Sequence, residues 1–254
     1  EAMAGLLDYD AKVTMIEMGD RILPLQLDHY AANVYIERLK EEGVDFRFNV
    51  RAEKVIVDEN NNPVAIKLNT GEEVPGELII ACTGVRSNVG FLEGSGIECD
   101  KFGLIFNPKG ETNVKEVYGA GDISGRNPIW PTAVKEGIIA ANNMLGKEMI
   151  MTDFFGSKNT MNFVGIATMS LGAVEPEDET YIVEVKNDEK GYKKIIHKDG
   201  KIYGALIQGD LDYAGVLTQL IKEKIDVSKV TKSLFDIDYA DFFNIEKNFE
   251  FSYK

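Results

Sequence analysis

The stretch that most limits what this chain can fold into is residues 1–48. "AKVTMIEMG" is a short apolar run that ends in Glu17 and reads as a buried parallel strand. "LDHYAANVYIERLKEEG" reads as a helix: Asp28 stands at the N-cap, Ala31, Val34, Tyr35 and Leu39 recur at helical spacing, and Gly43 stops it. "VDFRFN" is a second strand, and residues 1–9 form a leading helix with Met3, Leu6 and Leu7 on one apolar side. Helix, strand, helix, strand in that order implies two parallel strands joined by a right-handed crossover. It is a βαβ unit without its first strand. "EAMAGLLDYD" also opens mid-helix, with neither Met nor a capping residue, so the expectation is a piece of a longer protein.

The pattern then changes. "RAEKVIVDENNNPVAIKLNTGEEVPGELIIACTG" holds β runs joined by turn chemistry at Asn60-Asn61-Asn62-Pro63 and Thr70-Gly71, a meander leading into an apolar strand at Leu78–Cys82. Further strands are expected near Gly103–Phe106 and Val117–Gly119. "PTAVKEGIIAANNMLG" is a long helix, with Pro131 at its start, Val134, Ile138 and Ala141 as its apolar side and Gly146 as its stop. From about Met151, "NFVGIATMSLG", "TYIVEVKN", "GYKKIIHKDG" and "KIYGALIQGD" alternate as strands, with a hairpin at Lys198-Asp199-Gly200-Lys201, and "LDYAGVLTQLIKEK" is an amphipathic helix. The fold class is therefore α/β for residues 1–150, followed by a separate α+β domain at residues 151–254.

Charge and composition exclude several functions. The chain carries 42 acids against 28 bases, net −14, with no basic face to meet nucleic acid. No apolar run approaches the ~20 residues of a membrane span, and few cysteines with no disulfide framework suggest a reducing cytoplasm. The 2 cysteines, Cys82 and Cys99, are too far apart for CxxC chemistry, and Cys82 reads as a small buried core residue within its apolar strand. Neither His29 nor His197 has metal-ligand neighbours at a suitable spacing, which argues against a zinc site or a His-based triad.

Three places carry chemistry. Glu17 ends the first strand, where a dinucleotide fold keeps the acid that accepts a ribose 2′-hydroxyl hydrogen bond; taken alone, it is as readily a solvated charge at a strand end. An acid there favours NADH, while Arg21 nearby could tolerate a phosphate. Thr83-Gly84 ends an apolar strand, where a backbone can approach a ligand, although taken by itself a simple strand-to-loop glycine is the better explanation. "EVYGAGDISG" reads G-x-G-x-x-x-G, yet Asp122 follows Gly121 directly, and a carboxylate there would repel a phosphate.

In combination these segments resemble the two-dinucleotide flavoprotein reductases, the pyridine-nucleotide-disulfide oxidoreductase superfamily. "AMAGLLDYDAKVTMIEMGDRILP" resembles its NAD-binding helix and strand, and "TGEEVPGELIIACTGVRSN" the crossover strand back to the FAD domain. "YGAGD" resembles the second FAD motif, and "WPTAVKEGIIAANNMLG" the helix under the flavin. The resemblance implies partial Rossmann-like NAD and FAD domains at residues 1–84 and 85–150, with a C-terminal α+β acceptor or dimerisation domain at residues 151–254. It implies that Asp122 hydrogen-bonds the ribityl hydroxyls of FAD with Gly121 giving backbone access. Pro131, Thr132 and Ala133 would set helix N–H groups near the flavin's pyrimidine edge. Glu17 would hold the adenine ribose of NADH, Thr83 and Gly84 would line the nicotinamide-nucleotide cleft, and Glu1 would lie near the nicotinamide. Trp130 would flank the flavin or an acceptor path, or else be a packing tryptophan.

The C-terminal region lacks the His-Pro-Thr and Glu relay of the disulfide reductases, since His197 in "IIHKDG" does not match it. "MNFVGIATMSLG" with "GKIYGALIQGD" is more similar to NADH:rubredoxin reductases, NADH oxidases and the flavoprotein part of assimilatory nitrite reductases. The implied activity is hydride transfer from NADH to FAD and electron transfer to a redox protein or small acceptor, with no catalytic side chain and no metal required. The competing reading is a cofactor-free fragment or an NAD-sensing or assembly module. Because both pyrophosphate loops would lie outside this chain, the chain alone is expected to bind FAD weakly or not at all and to be inactive.

Overall fold

The computed structural model describes residues 2–151, 158–212, 214–245 and 251–253. The chain divides into two compact units: one is residues 1–80 with 158–254, the other residues 81–157.

The first unit opens as the sequence predicts. Helix α1 (Ala2–Leu7) leads to strand β1 (Thr14–Ile16), helix α2 (His29–Glu41) and strand β2 (Asp45–Arg47), and β1 pairs with β2 in parallel. Asp28 caps α2, its Oδ1 accepting from the Ala31 N–H at 2.9 Å. At the other end Gly43 adopts φ +86 and the chain closes a Schellman pair, Gly43 N–H to Lys40 C=O and Val44 N–H to Leu39 C=O. Of the expected stripe, Ala31, Tyr35 and Leu39 are fully buried and Val34 is half-buried; Ala32 and Ile36 join them. The meander forms as β3 (Ala52–Val57), β4 (Pro63–Leu68) and β5 (Glu73–Pro75), antiparallel in that order.

Residues 81–157 depart from the expected strands. Leu78–Cys82 is not a strand: Leu78 and Ile80 are exposed, and so are Cys82 and Cys99, so Cys82 is not the core residue its apolar context suggested. Gly103–Phe106 and Val117–Gly119 contribute only the isolated bridges Cys99–Leu104 and Glu111–Tyr118. A strand exists only beside a partner that satisfies its N–H and C=O groups, and among the described residues none lies alongside Leu78–Cys82. Helix α3 (Trp130–Met144) does form, with Pro131 in its first turn. It buries Thr132, Ile139 and Ala140, whereas Val134, Ile138 and Ala141 are exposed. The helix is apolar on two sides, and periodicity alone does not say which side is covered.

The first unit resumes with a five-stranded antiparallel sheet of β6 (Lys158–Phe163), β7 (Ile166–Gly172), β8 (Ile182–Asp188), β9 (Gly191–Lys198) and β10 (Lys201–Gly209), in the order β6-β7-β10-β9-β8. The run "NFVGIATMSLG" is two strands, because Val164 and Gly165 both take positive φ and make a hairpin turn. The predicted Asp199-Gly200 turn joins β9 to β10 in the same way. Helix α4 (Ala214–Lys222) packs against β10 and β7, and a short pair of β11 (Phe243–Ile245) and β12 (Phe251–Tyr253) follows. Among the described residues no helix is long and apolar enough to cross a membrane.

Helix α2 is the centre of the first unit's core. Its buried face packs with Ile22, Leu27 and Val44, with Met15 and Phe46 of the parallel pair, and with Tyr192, Leu206, Met161 and Phe163 of the five-stranded sheet. A polar set runs through this contact. The Tyr35 hydroxyl donates to the Ile166 carbonyl and pairs with the Thr168 hydroxyl, both at 2.8 Å, and Gln208 donates to the Ala31 carbonyl. Asp28 Oδ2 accepts from the Tyr192 hydroxyl at 2.6 Å and lies 3.2 Å from Lys194 Nζ, which also pairs with Glu175 at 2.9 Å. The sequence signalled Asp28 only as a helix cap; its buried ion pair is a tertiary fact.

Candidate functional site

In the 81–157 unit the glycine turn becomes a 3-10 turn, Gly121–Ser124. The Gly121 N–H donates to Glu136 Oε2 at 2.7 Å, and a Cβ at Gly121 would lie 3.2 Å from that of Ala133. Gly121 is thereby held against the first turns of α3. The Ser87 hydroxyl donates to the Asp122 carbonyl at 2.6 Å, which ties the segment just after Thr83-Gly84 to the same turn. Thr83 and Gly84 are themselves exposed. The Arg126 guanidinium closes the far side on Asp100 at 2.5 Å. Hydrogen bonds from the Phe102 and Gly103 N–H groups, together with Arg126, hold the Asp100 carboxyl below its usual range.

Two features face outward. The Asp122 carboxylate is exposed and has no hydrogen-bond partner among the described residues. The N-terminus of α3 has Ile129 at the cap position with no side-chain cap; the Ala133 N–H donates to the Ile129 carbonyl at 3.1 Å and Pro131 has no N–H, so Trp130 and Thr132 carry the first-turn donors without an intrahelical acceptor. An unpartnered acceptor beside uncapped helix donors suits a ligand with hydroxyls and a site of developing negative charge. Pro131, Thr132 and Ala133 form that first turn: Thr132 is buried, Ala133 half-buried and Pro131 exposed. Trp130 is 81% exposed, so it does not serve as a packing tryptophan among the described residues.

Glu136 was not singled out by sequence reasoning. Burial raises its pKa most, with Asp122 adding to the rise, against the lowering by the Gly121 N–H. The available signal was a lone acid on an otherwise apolar helix. Beside it lies a cavity of about 130 Å³, lined by Leu104, Phe106, Gly110, Glu136, Ile139 and Met151 among others. This is well under the roughly 300–1,000 Å³ of small-molecule pockets. The residues thus fit one part of a flavin site, the polyol and helix-terminus part, rather than a whole pocket.

Glu17 lies in the other unit, directly after β1. Its N–H donates to the Arg47 carbonyl, extending the parallel ladder, and its Oε1 accepts from the Gly19 N–H at 2.7 Å. The side chain is half-buried and fixed, not a freely solvated charge. Arg21 turns elsewhere: Nε donates to the Leu27 carbonyl at 3.1 Å, and its guanidinium meets Asp20 and His29. Glu1 lies outside the described residues. His197 sits on β9, paired with Glu184 at 3.0 Å, and among the described residues no cluster of His, Cys, Asp or Glu could hold a metal ion.

Residues 1–137, more than half of the chain, match the sequence profile of the pyridine nucleotide-disulphide oxidoreductase family. The chain belongs to that family. Members of the family are oxidoreductases that depend on FAD and NAD(P)H. Residues 158–225 match the rubredoxin NAD+ reductase C-terminal domain. The chain is 24% identical over 237 residues to a nitrite reductase [NAD(P)H] of Bacillus subtilis (strain 168), covering 91% of this chain and 29% of that protein. It is 29% identical over 178 residues to an NAD(P)H sulfur oxidoreductase (CoA-dependent) of Pyrococcus abyssi, covering 65% of this chain and 39% of that one. Among solved structures, a NAD-dependent persulfide reductase from A. fulgidus superposes with a TM-score of 0.75 at 21% identity, over 88% of this chain and 46% of that one. The chain thus spans about a third of these curated relatives and shares the fold of the family's two-domain structures.

Proposed function

We propose that this chain is part of a flavoprotein oxidoreductase that passes a hydride from NADH to FAD, and electrons on to a redox protein or small acceptor. The observation that carries the proposal is the exposed Asp122 carboxylate, without a hydrogen-bond partner among the described residues, on the turn held against the first turn of α3, which has no side-chain cap. In this reading residues 1–84 belong to the NAD domain, 85–150 to the FAD domain, and 151–254 form the acceptor or dimerisation domain.

FAD, when bound, supplies the redox chemistry. The chain's own residues bind and orient it. Asp122 accepts hydrogen bonds from the ribityl hydroxyls, and its geometry is set by Ser87 and by the Gly121–Glu136 bond. In the first turn of Pro131, Thr132 and Ala133 the Thr132 N–H is the donor left for the pyrimidine edge, since Pro131 has none and the Ala133 N–H goes to the Ile129 carbonyl, and the helix terminus there would favour negative charge. Thr83 and Gly84 line the nicotinamide cleft. The match to the rubredoxin NAD+ reductase C-terminal domain favours a small redox protein as acceptor over an unrelated partner.

The parent protein that carries this chain with the family's remaining flavin segment is expected to be yellow as purified. Its absorbance near the visible flavin band should be bleached by NADH under anaerobic conditions. A colourless parent protein would leave the cofactor-free or NAD-sensing alternative standing instead.

Glu17 sets the nucleotide preference in this proposal. Its fixed carboxylate suits a ribose 2′-hydroxyl and repels a 2′-phosphate, and Arg21 is committed to the Leu27 carbonyl and Asp20. Glu17→Ala in the parent protein should weaken NADH binding on the order of tenfold, the worth of about one charge-assisted hydrogen bond. Binding titrations that show unchanged NADH affinity would remove Glu17 from the site.

A further inference from the structure

We propose that Glu136 takes up the proton that accompanies flavin reduction, acting as a positioning residue behind the site and not as a contact of the flavin; this rests on the flavin function proposed above. Glu136 and Asp122 are two carboxylates set about one turn. Glu136 reaches back from α3 to accept from the Gly121 N–H at 2.7 Å, and Asp122 is the next residue. Asp122 is exposed, whereas Glu136 is half-buried and lines the small cavity with Leu104, Phe106, Ile139 and Met151. A carboxylate in such surroundings has lost part of its hydration, and a like charge nearby makes its ionised form less favourable still.

The elements packed around Glu136 bring few charges to it. Asp122 is the one on the 3-10 turn. Just after that turn, Arg126 lines the same cavity but is committed to Asp100 and to the Leu104 and Ser124 carbonyls. On the segment of residues 104–110, Lys109 pairs with Glu148 at 2.5 Å. On α3 itself Lys135 precedes Glu136. Burial is the main reason that Glu136 holds its proton above the ordinary glutamate range; the Gly121 N–H opposes that rise and the Asp122 charge adds to it.

Hydride transfer carries two electrons and one proton from NADH, so the flavin gains one negative charge. One solvent proton then neutralises Glu136: NADH, FAD, the Glu136 carboxylate and H+ give NAD+, FADH− and the Glu136 carboxylic acid. In the flavin reading the new charge falls near both carboxylates. Asp122 keeps its charge because water reaches it, and Glu136 gives up its own because burial already disfavours it. The part of Glu136 that remains exposed leaves a path for the proton. The protonated acid keeps its carbonyl oxygen for the Gly121 N–H, so the turn that carries Asp122 holds in both states.

The test uses the parent flavoprotein. Its flavin midpoint potential, followed against pH, should steepen from one proton per two electrons to two over a span above the ordinary glutamate value of about 4.3. Glu136→Gln keeps a carbonyl oxygen for the Gly121 N–H but does not titrate, so it should hold the one-proton slope across that span. The variant should match the unaltered protein at the acid end. At the alkaline end it should favour the reduced flavin by on the order of tenfold, about 30 mV for a two-electron couple. Infrared difference spectra of the unaltered protein should show a protonated-carboxyl band that appears on reduction, and Glu136→Gln should lack it. Equal pH slopes in the two proteins, with flavin bound and bleached by NADH, would overturn the proposal and leave the flavin reading intact. So would a carboxyl band that persists in Glu136→Gln, or an unaltered protein whose reduction raises no such band, which needs no variant. A parent protein without flavin would instead remove the reading beneath the proposal.

Discussion

Asp28→Ala is expected to destabilise the unit formed by residues 1–80 and 158–254 by about 3–5 kcal/mol, the cost of removing one member of a buried ion pair. Three effects act together. The α2 N-cap is lost, worth about 1 kcal/mol. The Tyr192 hydroxyl loses its acceptor at 2.6 Å. Lys194, with its side chain 7% exposed, keeps only Glu175, whose side chain is 50% exposed. Such a loss should lower the thermal midpoint by roughly 10 °C for a unit of this size. Asp28→Asn keeps the cap through its one amide oxygen but puts an NH2 donor where Oδ2 met Tyr192 and Lys194, so it should recover only the roughly 1 kcal/mol of the cap. A urea series in which Asp28→Ala costs less than about 1 kcal/mol would show that the network does not hold the sheet to α2.

The same network predicts an alkaline limit. Burial, and then the hydrogen bond to Asp28, hold the Tyr192 phenol well above its ordinary value. Because the folded-state value lies above the unfolded one, the contribution is complete below the unfolded value of about 10 and is lost as pH rises past it. Denaturation midpoints should therefore drop above pH ~10 in the unaltered chain, and Tyr192→Phe should flatten that part of the curve.

Gly125→Ala is the second large effect. Gly125 has φ +64, and a Cβ there would stand 2.1 Å from the Phe102 carbonyl oxygen, a backbone atom that cannot swing aside. Left-handed strain and overpacking add to about 3 kcal/mol or more. The Gly125 N–H closes the turn on the Asp122 carbonyl at 3.0 Å, so relief of the clash must move Asp122. In the parent flavoprotein the expected result is loss of bound flavin. Gly137→Ala is the control on α3: a Cβ there meets nothing within 4 Å and the backbone is helical, so stability should rise by up to about 1 kcal/mol. Retention of stoichiometric flavin by Gly125→Ala would show that the turn does not position Asp122.

The difference between what was legible and what was not follows particular residues. Asp28 and Gly43 bracket a helix by rules acting within a few residues, and they predicted α2 to its ends. Asp199-Gly200 predicted a hairpin because few residue pairs accept two positive φ values. "YGAGD" with the helix after it pointed to the flavin motif by spacing. Leu78–Cys82 failed because a strand is a relation between segments, and its apolar composition could not supply a neighbour. Val134, Ile138 and Ala141 failed because α3 is apolar on two sides. Glu136 was missed because its partner, the Gly121 N–H, becomes a partner only when the turn folds back onto the helix.

By itself, then, the sequence determined most of the local elements, which backbone sterics, capping and periodicity govern over short separations, while its motifs carried the resemblance to the family and to the residue types of the candidate site. Only the tertiary structure decided which face of α3 is covered, that Asp28 anchors Tyr192 and Lys194 across 164 residues in one case, that Glu17 is held by Gly19, and that β8 is left as an edge. Those outcomes depend on desolvation and on which distant groups meet, and neither is encoded in a residue's near neighbours.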